Sequence, residues 1–412
     1  MKALFKNLFE MRVTQSRRRR SFEPTCAHAC LESLEPRQLL AATLTNAEID
    51  TQTSRTSTTT TTSTLTSTAN SPSVSVIKGD LYIYGTDSVI PPNSYVPRGG
   101  DDIVTVSYQN GNYVATVNGQ TQVYSAATLY GGDIVFDGKG GNDRFTNNTN
   151  LRSTAYGRDG NDVLIGGTNM DTFYGGRGND HLDGGFGHDD LFGEAGNDTM
   201  IAGYDFSGNY LDGGEGDDYM RGGYAADDMF GGLGNDIMYG DDGSDSVNGG
   251  SGNDWMDGGY GEDYMWGNAG IDTMYAGYDS SYNYMDGGDQ NDLMFGGDGR
   301  DEMYGGAGDD DMYGGAGDDD LDGGAGYDAL FGEAGNDTLW GGLDADVLHG
   351  GDGDDFLNGG GDDDVADALY GDAGRDTFYW EHYIDQHWGY DYNPADGSLE
   401  IRDFESGVDI RV

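Results

Sequence analysis

A nine-residue unit repeats from Gly157 to Tyr379, and nothing else in the chain restricts its fold as much. Gly175-Gly176-Arg177-Gly178-Asn179-Asp180-His181-Leu182-Asp183 stands for the rest: G-G-x-G-x-D-x-U-x, with U large and apolar. A fixed period marks a stacked array in which each unit touches only its neighbours. Five nonapeptides start at Gly157, Gly166, Gly175, Gly184 and Gly193, and an eleven-residue unit (202–212) follows. Seven nonapeptides then run from Gly213 to Tyr275, before a second eleven-residue unit (276–286). Eight more run from Gly287 to Asn358, and a twelve-residue unit (359–370) and a final nonapeptide (371–379) close the array. An isolated copy at 138–145 precedes it.

Within the unit, positions one to six must turn sharply, and glycine supplies positive φ without a Cβ clash while letting carbonyls point inward. Position six is Asp in every in-register nonapeptide. Asn or Ser would serve a turn as well, so an unbroken Asp column points to ligands rather than decoration. Positions seven to nine make a minimal strand whose alternation sends position eight inward. Leu164, Phe173, Leu182, Leu191, Met200, Met220 and Met238 are therefore expected to stack as a core.

Charge falls on the same stretch. Residues 1–150 carry 13 basic and 13 acidic side chains, whereas 151–412 carry 8 and 61. Such density opposes compaction unless cations neutralise it. It also excludes nucleic acid and anionic membrane surfaces as partners, because they share its sign. An acidic tail is the alternative, but tails lack periodicity and aromatics, and this chain has 28 Tyr. Hard oxygen ligands in carbonyl-rich loops favour Ca²⁺ over Mg²⁺, which demands a tight octahedron and sheds water reluctantly.

The repeats resemble the RTX, or hemolysin-type, calcium-binding nonapeptide family. That resemblance implies an all-β fold: a parallel β-roll, a form of β-helix or solenoid, with two units per coil. It implies calcium ions between loops stacked on one side, held by Asp carboxylates and Gly carbonyls of successive coils. Carried onto this chain, the candidate ligands are Asp143, Asp162, Asp171, Asp180, Asp189, Asp198, Asp218, Asp227, Asp236, Asp245 and Asp254. The set continues with Asp263, Asp272, Asp292, Asp301, Asp310, Asp319, Asp328, Asp337, Asp346, Asp355 and Asp376.

The flanks divide the rest of the chain. Residues 1–42 hold Arg17 to Arg20 and Leu31-Glu32-Ser33-Leu34-Glu35-Pro36-Arg37-Gln38-Leu39-Leu40. No apolar h-region follows the arginines, but the second run is similar to the L-E-x-L-E-P-R-x-L-L motif of many large exported bacterial proteins, which implies an export segment. Cys26 and Cys30, four residues apart, match neither common metal nor haem spacing. Residues 43–72 are a Thr/Ser-rich linker, a flexible tether that cannot bury a core. Residues 73–150 read as a small β cap region that includes the first repeat, with an Asn118-Gly119 hairpin turn. The roll is expected over 151–379 and a C-terminal cap over 380–412, where Ile401 to Ile410 is similar to the segment ending many type I-secreted RTX proteins.

Departures from the repeat carry further expectations. Position four is Asn169, Ala225, Gln290 or Asp344 in four units, and Ala225 and Gln290 tolerate left-handed backbone least, predicting weak calcium there. The eleven-residue units should bulge outward and skip a site. Position nine is aromatic at Phe192, Phe230, Trp266, Tyr304, Trp340 and Tyr379, with Asp212, Asn248, Asp286, Asp322 and Asn358 midway between. With two units per coil, one face should alternate coil by coil.

The expected function is that of an exported calcium-binding protein, secreted or on the cell surface, whose repeats fold on binding several ions and serve a structural role. One alternative is an adhesin that binds saccharide or a partner surface through its exposed aromatics, and another is an enzyme with an RTX secretion tail. Against the enzyme stand the absence of H-E-x-x-H and G-x-S-x-G motifs and of any His or Cys from 31 to 180. No stretch reaches the length of a transmembrane span.

Overall fold

The computed structural model describes residues 72–85, 100–129, 131–277, 279–360 and 367–379, and the backbone of strands Gly389–Asn393, Ser398–Glu405 and Val408–Ile410. The expected export segment and all but the last residue of the linker lie outside the described residues. The described chain is all β: a parallel solenoid of about 13 turns.

It begins with antiparallel pieces. β1 (Ser73–Ile77) and β2 (Asp80–Tyr84) form one hairpin; β3 (Ile103–Gln109), β4 (Asn112–Val117) and β5 (Gln120–Ser125) form a meander. The turn residues Lys78-Gly79, Asn110-Gly111 and Asn118-Gly119 all have positive φ, as tight two-residue hairpins require. β6 (Ile134–Asp137) joins β2 in parallel, and β7 (Arg144–Asn148) joins β3. β8 (Ser153–Asp159) then extends the first sheet and β9 (Val163–Ile165) the second. These N-terminal pieces thus supply the starting strands of both sheets.

From there successive units alternate between the sheets, and each strand pairs in parallel with the one a coil later. Phe173 lies beside Leu191, and Leu182 beside Met200. The eleven-residue units keep this register, because Leu191 still meets Leu211 and Met265 still meets Met285. Their two additional residues are absorbed in the loop. At the far end Gly389–Asn393 pairs in parallel with Ala368–Ala373, and two antiparallel strands follow.

Every position-eight side chain named above is fully buried, and the column continues through Met256, Met274, Met294 and Met312 in the second sheet. Met229, Met265, Met285 and Met303 oppose them from the first. With coils one strand spacing apart, about 4.8 Å, each interior position must be filled by a side chain that accepts the same residue above and below. Unbranched Met does so because its three torsions adapt to irregular gaps.

The outer faces carry aromatic rungs. In the first sheet Phe192, Asp212, Phe230, Asn248 and Trp266 are consecutive register partners, followed by Asp286, Tyr304, Asp322, Trp340, Asn358 and Tyr379. The expected alternation is therefore present. Position-seven rings partly fill its gaps: Tyr210 packs between Phe192 and Phe230, and Tyr284 between Trp266 and Tyr304. The second sheet carries a ladder that sequence reading passed over, Tyr275–Phe295–Tyr313–Phe331–His349–Tyr370. Its ring centroids are 4.5–5.2 Å apart and its planes within 11° of parallel.

Candidate metal centre

Strand ends place the position-six aspartates. In each coil the strand begins at or just after this residue, so its Cβ is fixed beneath the loop and its carboxylate is drawn inward. The backbone N–H of Asp162 donates to Oδ1 of Asp180 one coil later at 2.7 Å, and that of Asp180 to Asp198 at 2.7 Å. The relation repeats until two columns emerge. The first runs Asp143, Asp162, Asp180, Asp198, Asp218, Asp236, Asp254, Asp272, Asp292, Asp310, Asp328 and Asp346. The second takes Asp171, Asp189, Asp227, Asp245, Asp263, Asp301, Asp319, Asp337, Asp355 and Asp376. All 22 sequence-derived candidates fall in one column or the other, and all are buried.

Four column members escaped the repeat register. Asp102 extends the first column at its start and Asp367 at its end, whereas Asn209 and Asn283 occupy the second column at the eleven-residue units. The usable signal lies on the strand side. Asp102-Ile103-Val104-Thr105, Asn209-Tyr210-Leu211-Asp212, Asn283-Tyr284-Met285-Asp286 and Asp367-Ala368-Leu369-Tyr370 each end in the strand pattern, and counting backwards from it finds all four.

One carboxylate oxygen is spent on the neighbouring coil; the other is not. Oδ2 of Asp162, Asp180, Asp198, Asp218 and Asp236, and of most other members of both columns, is buried and accepts no hydrogen bond. It lies against position one of its own loop and the position-one carbonyl of the next coil. A Cβ added to Gly193 would stand 2.5 Å from both Asp198 Oδ2 and the Gly213 carbonyl oxygen. At Gly305 the same two distances, to Asp310 Oδ2 and the Gly323 carbonyl, are again 2.5 Å. Position one is glycine because that volume belongs to converging oxygens.

Burial without a counter-charge raises these carboxyls. Asp162 and Asp198 are pushed up to about 6, Asp180 and Asp218 to about 7, and Asp143, Asp189 and Asp245 to about 8. Desolvation is the largest cause in each case, countered by the N–H donated from the preceding coil. Rows of buried oxygens with no donor are costly unless a cation completes them. Among the described residues no three His, Cys, Asp or Glu side chains gather into one cluster. Backbone carbonyls converging beside Oδ2 would have to supply the remaining ligands, and an all-oxygen, carbonyl-rich shell fits Ca²⁺.

Backbone conformation revises one expectation. Position two, more than position four, is left-handed in nearly every loop, and non-glycine residues adopt it there: Arg158 (φ 85°), Glu194 (73°), Asp241 (74°), Asn268 (69°), Glu333 (72°) and Asp372 (65°). At position four Gln290 (78°) and Asp344 (76°) share it, but Ala225 does not. A turn that Ala225 makes with negative φ carries no Cβ strain, so the reason for expecting weak calcium at that loop disappears.

Stacked loops that pair a buried, donor-free carboxylate oxygen with a carbonyl from the next coil define a calcium-binding β-roll. The family model of the RTX calcium-binding nonapeptide repeat (4 copies) matches residues 153–169, 165–200, 205–238, 239–274, 286–321, 313–348 and 331–366, and the array belongs to that repeat family. The matches are interrupted at both eleven-residue units, between 200 and 205 and between 274 and 286. No curated protein matches the chain.

Proposed function

We propose that this chain is an exported protein whose acidic repeats stay unfolded where calcium is scarce and fold into a structural element where it is plentiful. The donor-free Oδ2 atoms of the two columns carry this reading. Without cations, folding buries them against carbonyl oxygens; with calcium, the binding free energy becomes folding free energy. Extracellular calcium modules bind in roughly the 10⁻⁴ to 10⁻³ M range, so folding would wait until export. The Leu31–Leu40 run supports export, and a Thr/Ser tether suits a surface or matrix role without catalysis. Circular dichroism through a calcium titration tests the switch. A β signal growing from a disordered baseline is expected, and a chain fully β-structured in chelator at neutral pH would overturn it.

A second reading rests on Trp340, 43% exposed. With Tyr304 it borders a groove of about 440 Å³ over Asp320 and Asp322, where the exposed part of the indole could stack a sugar ring. In the second-sheet ladder the ring faces stack on one another, which leaves less ring face for a sugar in the groove beside Tyr275, Phe295 and Tyr313. Glycan-array binding lost in Trp340→Ala is the expected result of this reading, and absence of binding to any glycan ends it.

A further inference from the structure

The two columns are not equivalent. In the first, every position between Asp143 and Asp346 is Asp. The second differs in three loops: Asn209 and Asn283 replace the carboxylate with an amide, and Asp171 Oδ2, in its usual place, accepts an N–H.

At Asn209 the orientation of the amide is fixed by the backbone. The N–H of Asp189 donates to Oδ1 at 2.9 Å, so the other branch must be the NH₂. Nδ2 donates to the Ser207 carbonyl and to Asp227 Oδ1, each at 2.9 Å. The two inserted residues allow Asp205 to close the loop: its Oδ1 accepts the Ser207 N–H at 2.7 Å and its Oδ2 accepts the N–H of Gly187, one coil earlier, at 2.5 Å. The second eleven-residue unit repeats the arrangement. Asn283 Nδ2 donates to Asp301 Oδ1 at 2.9 Å, and Asp279 accepts from Ser281 at 2.8 Å and from Gly261 at 3.0 Å. At Asp171 Oδ2 accepts the Gly167 N–H at 2.6 Å, while Oδ1 takes the N–H and hydroxyl of Ser153 at 2.6 Å and Asn147 Nδ2 at 3.5 Å.

We infer that these three loops are calcium-free joints, in which the protein's own donors replace the cation; Asp171 opens the second column with one, and the two Asn divide it into separate calcium blocks while the first remains continuous. An amide NH₂ in the ligand position repels a cation and removes a negative charge, and at Asp171 the oxygen that is donor-free elsewhere already accepts an N–H. The joints hold coil to coil by hydrogen bonds that do not depend on calcium. This rests on the calcium reading above.

The test counts bound calcium per chain by equilibrium dialysis at saturating Ca²⁺, alongside circular dichroism. Asn209→Asp and Asn283→Asp are each expected to bind more calcium than the parent, with half-saturation at lower concentration. Asp245→Asn, the reverse exchange at a donor-free position, is expected to bind less while keeping the β signal. An unchanged count in both Asn→Asp variants, with a lower count in Asp245→Asn, overturns the joints and leaves the calcium reading intact. If the parent binds no calcium, the calcium reading itself fails. Should the Asn→Asp chains not fold, Asp245→Asn decides alone: a lost β signal or an undiminished count overturns the proposal.

Discussion

In chelator, acid is expected to do what calcium does. The column carboxyls lie above the ordinary value of 3.8 in the cation-free fold, at about 6 for Asp236 and Asp310, about 7 for Asp254 and about 8 for Asp292 and Asp319. The roll then holds protons more tightly than the unfolded chain, so falling pH favours the cation-free fold. That gain begins as pH drops through about 8 and is complete near 4, where the unfolded carboxyls are protonated as well. Above pH 8 the same groups oppose folding in full. Neutralisation of a net charge of −53 acts in the same direction. A β signal in chelator that rises between pH 8 and 4, with a calcium requirement that shrinks alongside it, is the expected outcome. Monotonic loss of structure on acidification would contradict it.

Gly305→Ala should be nearly as damaging as loss of a ligand. Its Cβ would enter the space between Asp310 Oδ2 and the Gly323 carbonyl. The loop must then spread, displacing a carboxylate and a carbonyl from one site and loosening the coils on either side. Disturbance of a buried polar group costs about 1–3 kcal/mol before any calcium is lost. Fewer bound ions and a lowered melting temperature in calcium are expected; a chain with the parent's count and melting point would show that the position-one cradle is not where the ion sits.

The sequence made the columns legible because one physical demand, a carboxylate at every turn, leaves one residue type at one spacing. The core was equally plain, since Leu, Met and Phe alternate with polar residues at the period of a strand. What escaped reading lay where the loop changed length. A forward count from the glycines loses Asn209, Asn283 and Asp367 in the insertions, because the structure keeps register through its strands. The turn at Ala225, expected to be left-handed, is not, whereas position two takes that conformation in nearly every loop. Arg158 and Glu194 have poor intrinsic preference for it, and hydrogen bonding between coils imposes it nonetheless.

The register of the solenoid also has a mechanical consequence. Each coil is tied to the next by strand hydrogen bonds and by an Asp or Asn N–H in each column, and all of these bonds point along the stacking axis. A pull along that axis loads one interface at a time, so coils peel from an end in sequence at low force and can re-form in the same order. A pull across the axis strains many strands at once and meets far greater resistance. Strength in this molecule belongs to a direction.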